Sequence, residues 1–146
     1  ETEEPVDETT TEPEEVAPAT NLDFEDTLAT AGKNWVLSSI TLNQTKVDLN
    51  VEVSKVLALN FDTDKFAYAG FAGCNTFSGA YTTAAEMGFD FGATASTKMA
   101  CSEQAMQLET ATFKAMDAVS KFNIEGGQLV FVSDDGYTKL VYNAAP

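Results

Sequence analysis

Apolar side chains recur at every second position through most of this chain, and only once does the spacing become helical. That pattern constrains the fold most. A period of two buries one face of a strand and wets the other, whereas a period near 3.6 makes a single stripe along a helix. Thr45 to Val53 alternates cleanly, with Val47, Leu49, Val51 and Val53 opposed to Lys46, Asp48, Asn50 and Glu52. Similar runs are Asn34 to Ile40, which sets Trp35 and Leu37 on one face, then Leu57, Leu59 and Phe61, then Phe66 and Tyr68. A further extended piece begins at Tyr81, and Met87, Phe89 and Phe91 alternate again. The helix is predicted from Ser102, an N-cap with Glu103 in the first turn, to about Val119. Its stripe is Ala105, Leu108, Thr112, Ala115 and Val119, flanked by Met106, Phe113 and Met116. Strands return at Phe122 to Glu125, Gln128 to Val132 and Tyr137 to Tyr142, the last two joined by the hairpin signal Asp134-Asp135-Gly136. Strands on both sides of one helix predict an α+β fold, a curved, barrel-like antiparallel sheet wrapped around a single α-helix.

The charges divide the chain. From Glu1 to Asp26 there are 11 acids and no bases, and the remaining residues hold 12 acids and 8 lysines. Residues 1–22, rich in Glu, Thr and Pro, have too little apolar surface to offset the entropy of ordering them, and are expected to form a disordered acidic linker or tether. The folded domain is expected over residues 23–146. A purely solubilising acidic end is the alternative for the tail. The chain does not begin with Met, so removal of an upstream segment is expected, with a lipid anchor at the N-terminus as one way to reach a membrane.

Two zeros exclude whole classes of chemistry. With no His the chain has no imidazole for a nucleophile system, a zinc site or a proton shuttle. With no Arg and a net charge of −15, nucleic acid is not an expected partner, because affinity for a phosphate backbone comes from Lys and Arg displacing counterions. Asn60, Asp62 and Asp64 have the early spacing of a calcium loop, but Lys65 and Phe71 stand where its glycine and bidentate acid belong, which makes a solvated turn the better reading. Ser96 and Lys98 are weak grounds for a Ser-Lys dyad, and Glu109 either faces solvent or caps a buried backbone donor. No catalytic residue, cofactor or metal is expected.

Two segments stand apart from the general pattern: Gly70-Phe71-Ala72-Gly73-Cys74-Asn75-Thr76-Phe77-Ser78-Gly79-Ala80-Tyr81, and Thr97-Lys98-Met99-Ala100-Cys101 leading into the helix. Cys74 and Cys101 are the only cysteines, one in a glycine-flanked turn and one before the helix. In an oxidising compartment an isolated pair is most economically one disulfide; two buried free thiols or a redox-active pair are the alternatives. Gly73, Asn75 and Gly79 are read as turn formers, with an exposed recognition loop as the functional alternative. Phe71, Phe77, Phe89 and Phe91, with Phe113 from the helix, form either core or the lining of an apolar pocket between sheet and helix.

Together with Trp35-Val36-Leu37 and the final hairpin, the two segments resemble the META domain family, whose bacterial members include HslJ-like heat-shock and envelope proteins. The resemblance covers Trp35 to Tyr142. It marks Gly73, Asn75, Gly79, Tyr81, Thr97 and Met99 as the motif loop. It implies an extracytoplasmic domain, periplasmic or membrane-tethered, often a lipoprotein, with no catalytic chemistry. The expected function is a non-enzymatic, monomeric envelope module that binds a protein partner or supports stress tolerance; the alternative is a carrier or sensor of a small apolar ligand.

Overall fold

The computed structural model describes residues 23–145, so the expected tether over residues 1–22 lies outside the described residues. The elements run α1 (Phe24–Ala31), β1 (Asn34–Leu42), β2 (Thr45–Lys46), β3 (Ala58–Asp62), β4 (Ala67–Phe71), β5 (Thr76–Ala80), β6 (Thr82–Ala84) and β7 (Gly88–Asp90). There follow β8 (Thr94–Ser96), α2 (Glu103–Ala118), β9 (Lys121–Glu125), β10 (Gln128–Val132) and β11 (Lys139–Ala144). The fold is α+β with a curved antiparallel sheet, as the alternating runs predict.

Along the sheet the strand order is β6-β7-β9-β10-β11-β1-β3-β4-β5-β8, with β2 paired only to β1. Its two ends belong to one bent ribbon. β5 continues through Tyr81 into β6, and β7 continues through Phe91 into β8. One half of the ribbon pairs with β4, and the other reaches β9 through Gly88 and Lys121, so the sheet curls toward itself. The inner face carries Trp35, Ile40, Leu59, Phe61, Phe122, Leu129, Phe131, Leu140 and Tyr142, all buried. α2 lays the predicted stripe of Ala105, Leu108, Thr112, Ala115 and Val119 into this core. Ser102 is its N-cap, accepting from the Ala105 N–H at 3.2 Å.

Three expectations change. The helix is not single: α1 precedes the sheet, capped by Asp23, whose side chain accepts from the Glu25 N–H at 3.0 Å. Its apolar residues Phe24 and Leu28 are one turn apart, too short a pattern to register as a stripe, yet both are buried. The acids Asp23, Glu25 and Asp26 therefore belong to a helix N-terminus, where they complement its dipole, rather than to a tail.

The run from Thr45 to Val53 forms a ladder only over Thr45–Lys46. Val47, Leu49, Val51 and Val53 are half-buried and pack on the core, so the alternation is real. The ladder ends early because β3 pairs with the same flank of β1 from Asn34 to Val36, which leaves the run only the stretch beyond it. The segment between runs back along β1, held by Val47 N–H to Ile40 O and Leu37 N–H to Leu57 O, both 2.9 Å. Phe66, expected in a strand, sits at φ 53° in the turn before β4, half exposed.

Candidate functional site

The Gly-Cys-Asn loop lies directly against the first turns of α2, and Gly73 makes that possible. It has φ +127°, and a Cβ there would come within 2.9 Å of the Ala105 carbonyl oxygen. Its successor Cys74 is buried and bonded to the exposed Cys101, so the alternative of two free thiols gives way to a disulfide. Asn75 follows, 2% exposed, and every polar atom of its side chain is used. Its N–H donates to Glu109 Oε1 at 2.7 Å and its Nδ2 to Glu109 Oε2 at 3.0 Å. Its Oδ1 accepts from the Thr97 hydroxyl at 2.8 Å and the Met99 N–H at 2.7 Å, while Nδ2 also reaches the Met99 carbonyl at 3.3 Å.

The Asn75 amide thus pairs with the Met99 backbone at both donor and acceptor, as a neighbouring strand would. The result is a fixed exposed loop. Thr97, Lys98, Met99 and Ala100 all face solvent, Met99 at 57% exposure, while the backbone beneath them is pinned by a buried amide and a disulfide. Glu109 is the residue that sequence reasoning left open, and the structure assigns it the capping role. The available signal was an acid next to Leu108 and three residues before Thr112, within the buried stripe.

Removing this carboxylate has a definite expected cost. Glu109→Ala leaves the Asn75 N–H and amide donor buried without acceptors, a loss of about 2–3 kcal/mol, measurable by urea unfolding. Glu109→Gln keeps one acceptor but turns an amide toward Asn75 Nδ2, so an intermediate loss is expected.

Gly79 and Tyr81 serve the bend of the ribbon. A Cβ on Gly79 would sit 2.6 Å from the Ala93 carbonyl and closer still to the Tyr68 hydroxyl. That hydroxyl bonds Thr94 Oγ1 at 2.6 Å and donates to the Phe91 carbonyl at 3.2 Å. Tyr81 stacks on Phe89, centroids 5.3 Å apart, and donates its hydroxyl to Glu25 Oε2 at 3.1 Å, hooking α1 to the ribbon. Burial and then the Glu25 charge push the Tyr81 hydroxyl well up. Burial, with Asp23 beside it, raises the Glu25 carboxyl above its ordinary value, while the Tyr81 hydroxyl draws it back. A raised folded-state pKa favours folding below the ordinary glutamate value and loses that contribution as pH rises through the raised one. In Tyr81→Phe the Glu25 carboxyl is expected to titrate higher still, read by carbon NMR; an unchanged midpoint would contradict the contact.

The five phenylalanines proposed for one pocket are not brought to one place. Phe89 and Phe91 point into the core, centroids 4.8 Å apart, each also against Phe131. Phe113 meets Phe77 edge-on at 5.6 Å on the α2 side. Phe77 and Phe71 instead contribute to an open trough of about 720 Å³, bordered also by Lys55, Val56 and Thr97. Across it runs a register row of short side chains, Asn60, Ala69, Ser78 and Ala95. Lys55 Nζ lies 5.8 Å from the Phe71 ring centroid. Small residues at alternate strand positions were the only sequence sign of this face.

The META domain profile matches residues 26–146. No curated protein matches the chain. Among solved structures, an NMR structure of a protein from Burkholderia xenovorans is 24% identical with a TM-score of 0.64, the match covering 91% of this chain and 94% of that one. A crystal structure of a DUF4847 family protein from Bacteroides vulgatus is 9% identical with a TM-score of 0.56, covering 82% and 97%. Both likenesses are of fold.

Proposed function

The chain belongs to the META domain family, and on that premise we propose that it is a non-enzymatic extracytoplasmic module, periplasmic or tethered as a lipoprotein, that binds a protein partner or supports envelope stress tolerance. One observation carries this reading. The buried polar groups around the disulfide, Glu109 and Asn75, are used on one another, on the Thr97 hydroxyl and on the Met99 backbone, so their product is a rigid exposed loop rather than a reactive group. A pinned loop with an exposed methionine is pre-organised for recognition, since little ordering entropy remains to be lost on binding. The disulfide supports an oxidising compartment. No helix of the described residues is long and apolar enough to cross a membrane.

An apolar-ligand carrier is favoured less, because the space inside the sheet is taken by the Phe24 ring and its aromatic neighbours. The test is a photo-reactive amino acid placed at Met99 in the native host. A reproducible protein adduct at that position is expected, together with heat or envelope-stress sensitivity on deletion. A normally expressed protein that gives neither adduct nor phenotype would remove the reading.

A further inference from the structure

The sheet ends at β8, and the ladder there leaves backbone groups over. Thr97 N–H donates to the Thr76 carbonyl at 3.1 Å, and Ala95 faces Ser78 in an unshifted register. Facing pairs in an antiparallel ladder alternate, so Ala95 turns its N–H and C=O toward β5, while Thr94 and Ser96 turn theirs to the open side. Among the described residues no hydrogen bond reaches those outward groups. Folded proteins guard such an edge with charge, proline, a bulge, a covering segment or a very short strand, and of these β8 has its three-residue length. Gly92-Ala93-Thr94-Ala95-Ser96-Thr97 carries no charge and no proline.

Charge narrows what can dock there. Residues 23–145 hold 15 acids and 8 lysines, yet the one charged side chain lining the adjoining trough is Lys55. Lys98 stands exposed two positions beyond Ser96. On an acidic domain the trough side of this edge is therefore cationic, while Asp90 and Asp117 lie within electrostatic reach of the Tyr68 hydroxyl that bonds Thr94 at its other end. We infer that the β8 edge accepts an extended segment of a partner protein as an added strand, and that this segment carries carboxylates that meet Lys98 and Lys55. The inference rests on the protein-binding reading above and specifies its surface. Backbone pairing with Thr94 and Ser96 supplies affinity, and the short side chains of Ala69, Ser78 and Ala95 leave room for the partner's side chains to lie across the sheet.

The experiment selects binders to the full chain from a displayed library of random peptides, then measures the best synthetic peptide by fluorescence anisotropy. Selected sequences rich in Asp and Glu are expected, with slowed hydrogen exchange at the Thr94 and Ser96 N–H on binding. Ser96→Pro removes an outward donor at a position where an edge strand tolerates proline, and is expected to weaken binding by about tenfold. Lys98→Glu is expected to weaken it as well. Should Ser96→Pro melt differently from the parent, Ala95→Glu on the exposed face replaces it, with a loss expected from like-charge repulsion. The inference is overturned if no acidic peptide is enriched, or if these variants leave affinity unchanged. It is equally overturned if the Ser96 N–H is already protected in the free chain, which would assign the edge to residues 1–22 or to a second copy. A Met99 adduct that persists unchanged in Ser96→Pro overturns edge docking while the protein-binding reading stands; a parent that gives neither adduct nor deletion phenotype overturns that reading itself.

Discussion

Phe24→Ala is expected to destabilise the domain by about 3–5 kcal/mol, the range for deleting a buried aromatic ring, and to melt α1 with it. The Phe24 ring lies with centroids 4.7 to 5.1 Å from those of Phe61, Tyr81, Phe89 and Phe122, and 6.5 Å from Phe131. All five contacts are edge-on or tilted rather than stacked in parallel, the arrangements aromatic quadrupoles favour. Truncation leaves a hole whose walls are rings fixed by strands on several sides, so little collapse is available to fill it. α1 is only eight residues long, well below the length at which a helix persists alone in water, and its other buried anchor is Leu28. Urea unfolding gives the magnitude, and amide chemical shifts of residues 24–31 report the loss of the helix. A loss below about 1 kcal/mol would mean that α1 is a passenger rather than part of the core.

The second large effect belongs to the disulfide. Cys74 and Cys101 are 27 residues apart, and closing a loop of that size is worth about 3.5 kcal/mol in the chain-entropy account. The double variant Cys74→Ala with Cys101→Ala is therefore expected to melt on the order of 10–20 °C below the parent. The bond also ties the Asn75 loop to the start of α2, across the same junction that the Glu109 carboxylate holds from the side. Losing both is expected to fall short of the sum of the separate losses, because removing either one already loosens the loop that the other needs in place. Intact mass after alkylation under non-reducing, denaturing conditions checks the premise: no modified cysteine is expected, and two per chain would refute the bond.

The alternation of Trp35, Leu37, Leu59 and Phe61 and the stripe from Ala105 to Val119 announced strands and a helix because each depends on near neighbours in the chain. The Ser102 cap was readable for the same reason. Val47 to Val53 shows the limit of that reasoning. The run has a strand's side-chain pattern and a half-buried face, but a strand needs a free flank to pair with, and beyond its first two residues that flank of β1 is shared with β3.

Phe24 and Glu109 mark the same limit from the other side. A phenylalanine among acids near the N-terminus has nothing in its neighbourhood to bury it; its partners lie on β3, β7, β9 and β10. Glu109 reads equally as a solvated helix charge or as a cap without a named donor, until Asn75, 34 residues away, is brought to it. The sequence by itself determined α2, most of the longer strands, the cysteine pair, the motif loop and the family, since propensity, periodicity and motif are local properties. Only the tertiary structure decided that an acidic helix plugs the sheet, that Asn75 and Glu109 lock the exposed loop, and that β8 ends the sheet beside a cationic trough. Those depend on register between strands distant in the chain, which side-chain packing fixes and no short window of sequence contains.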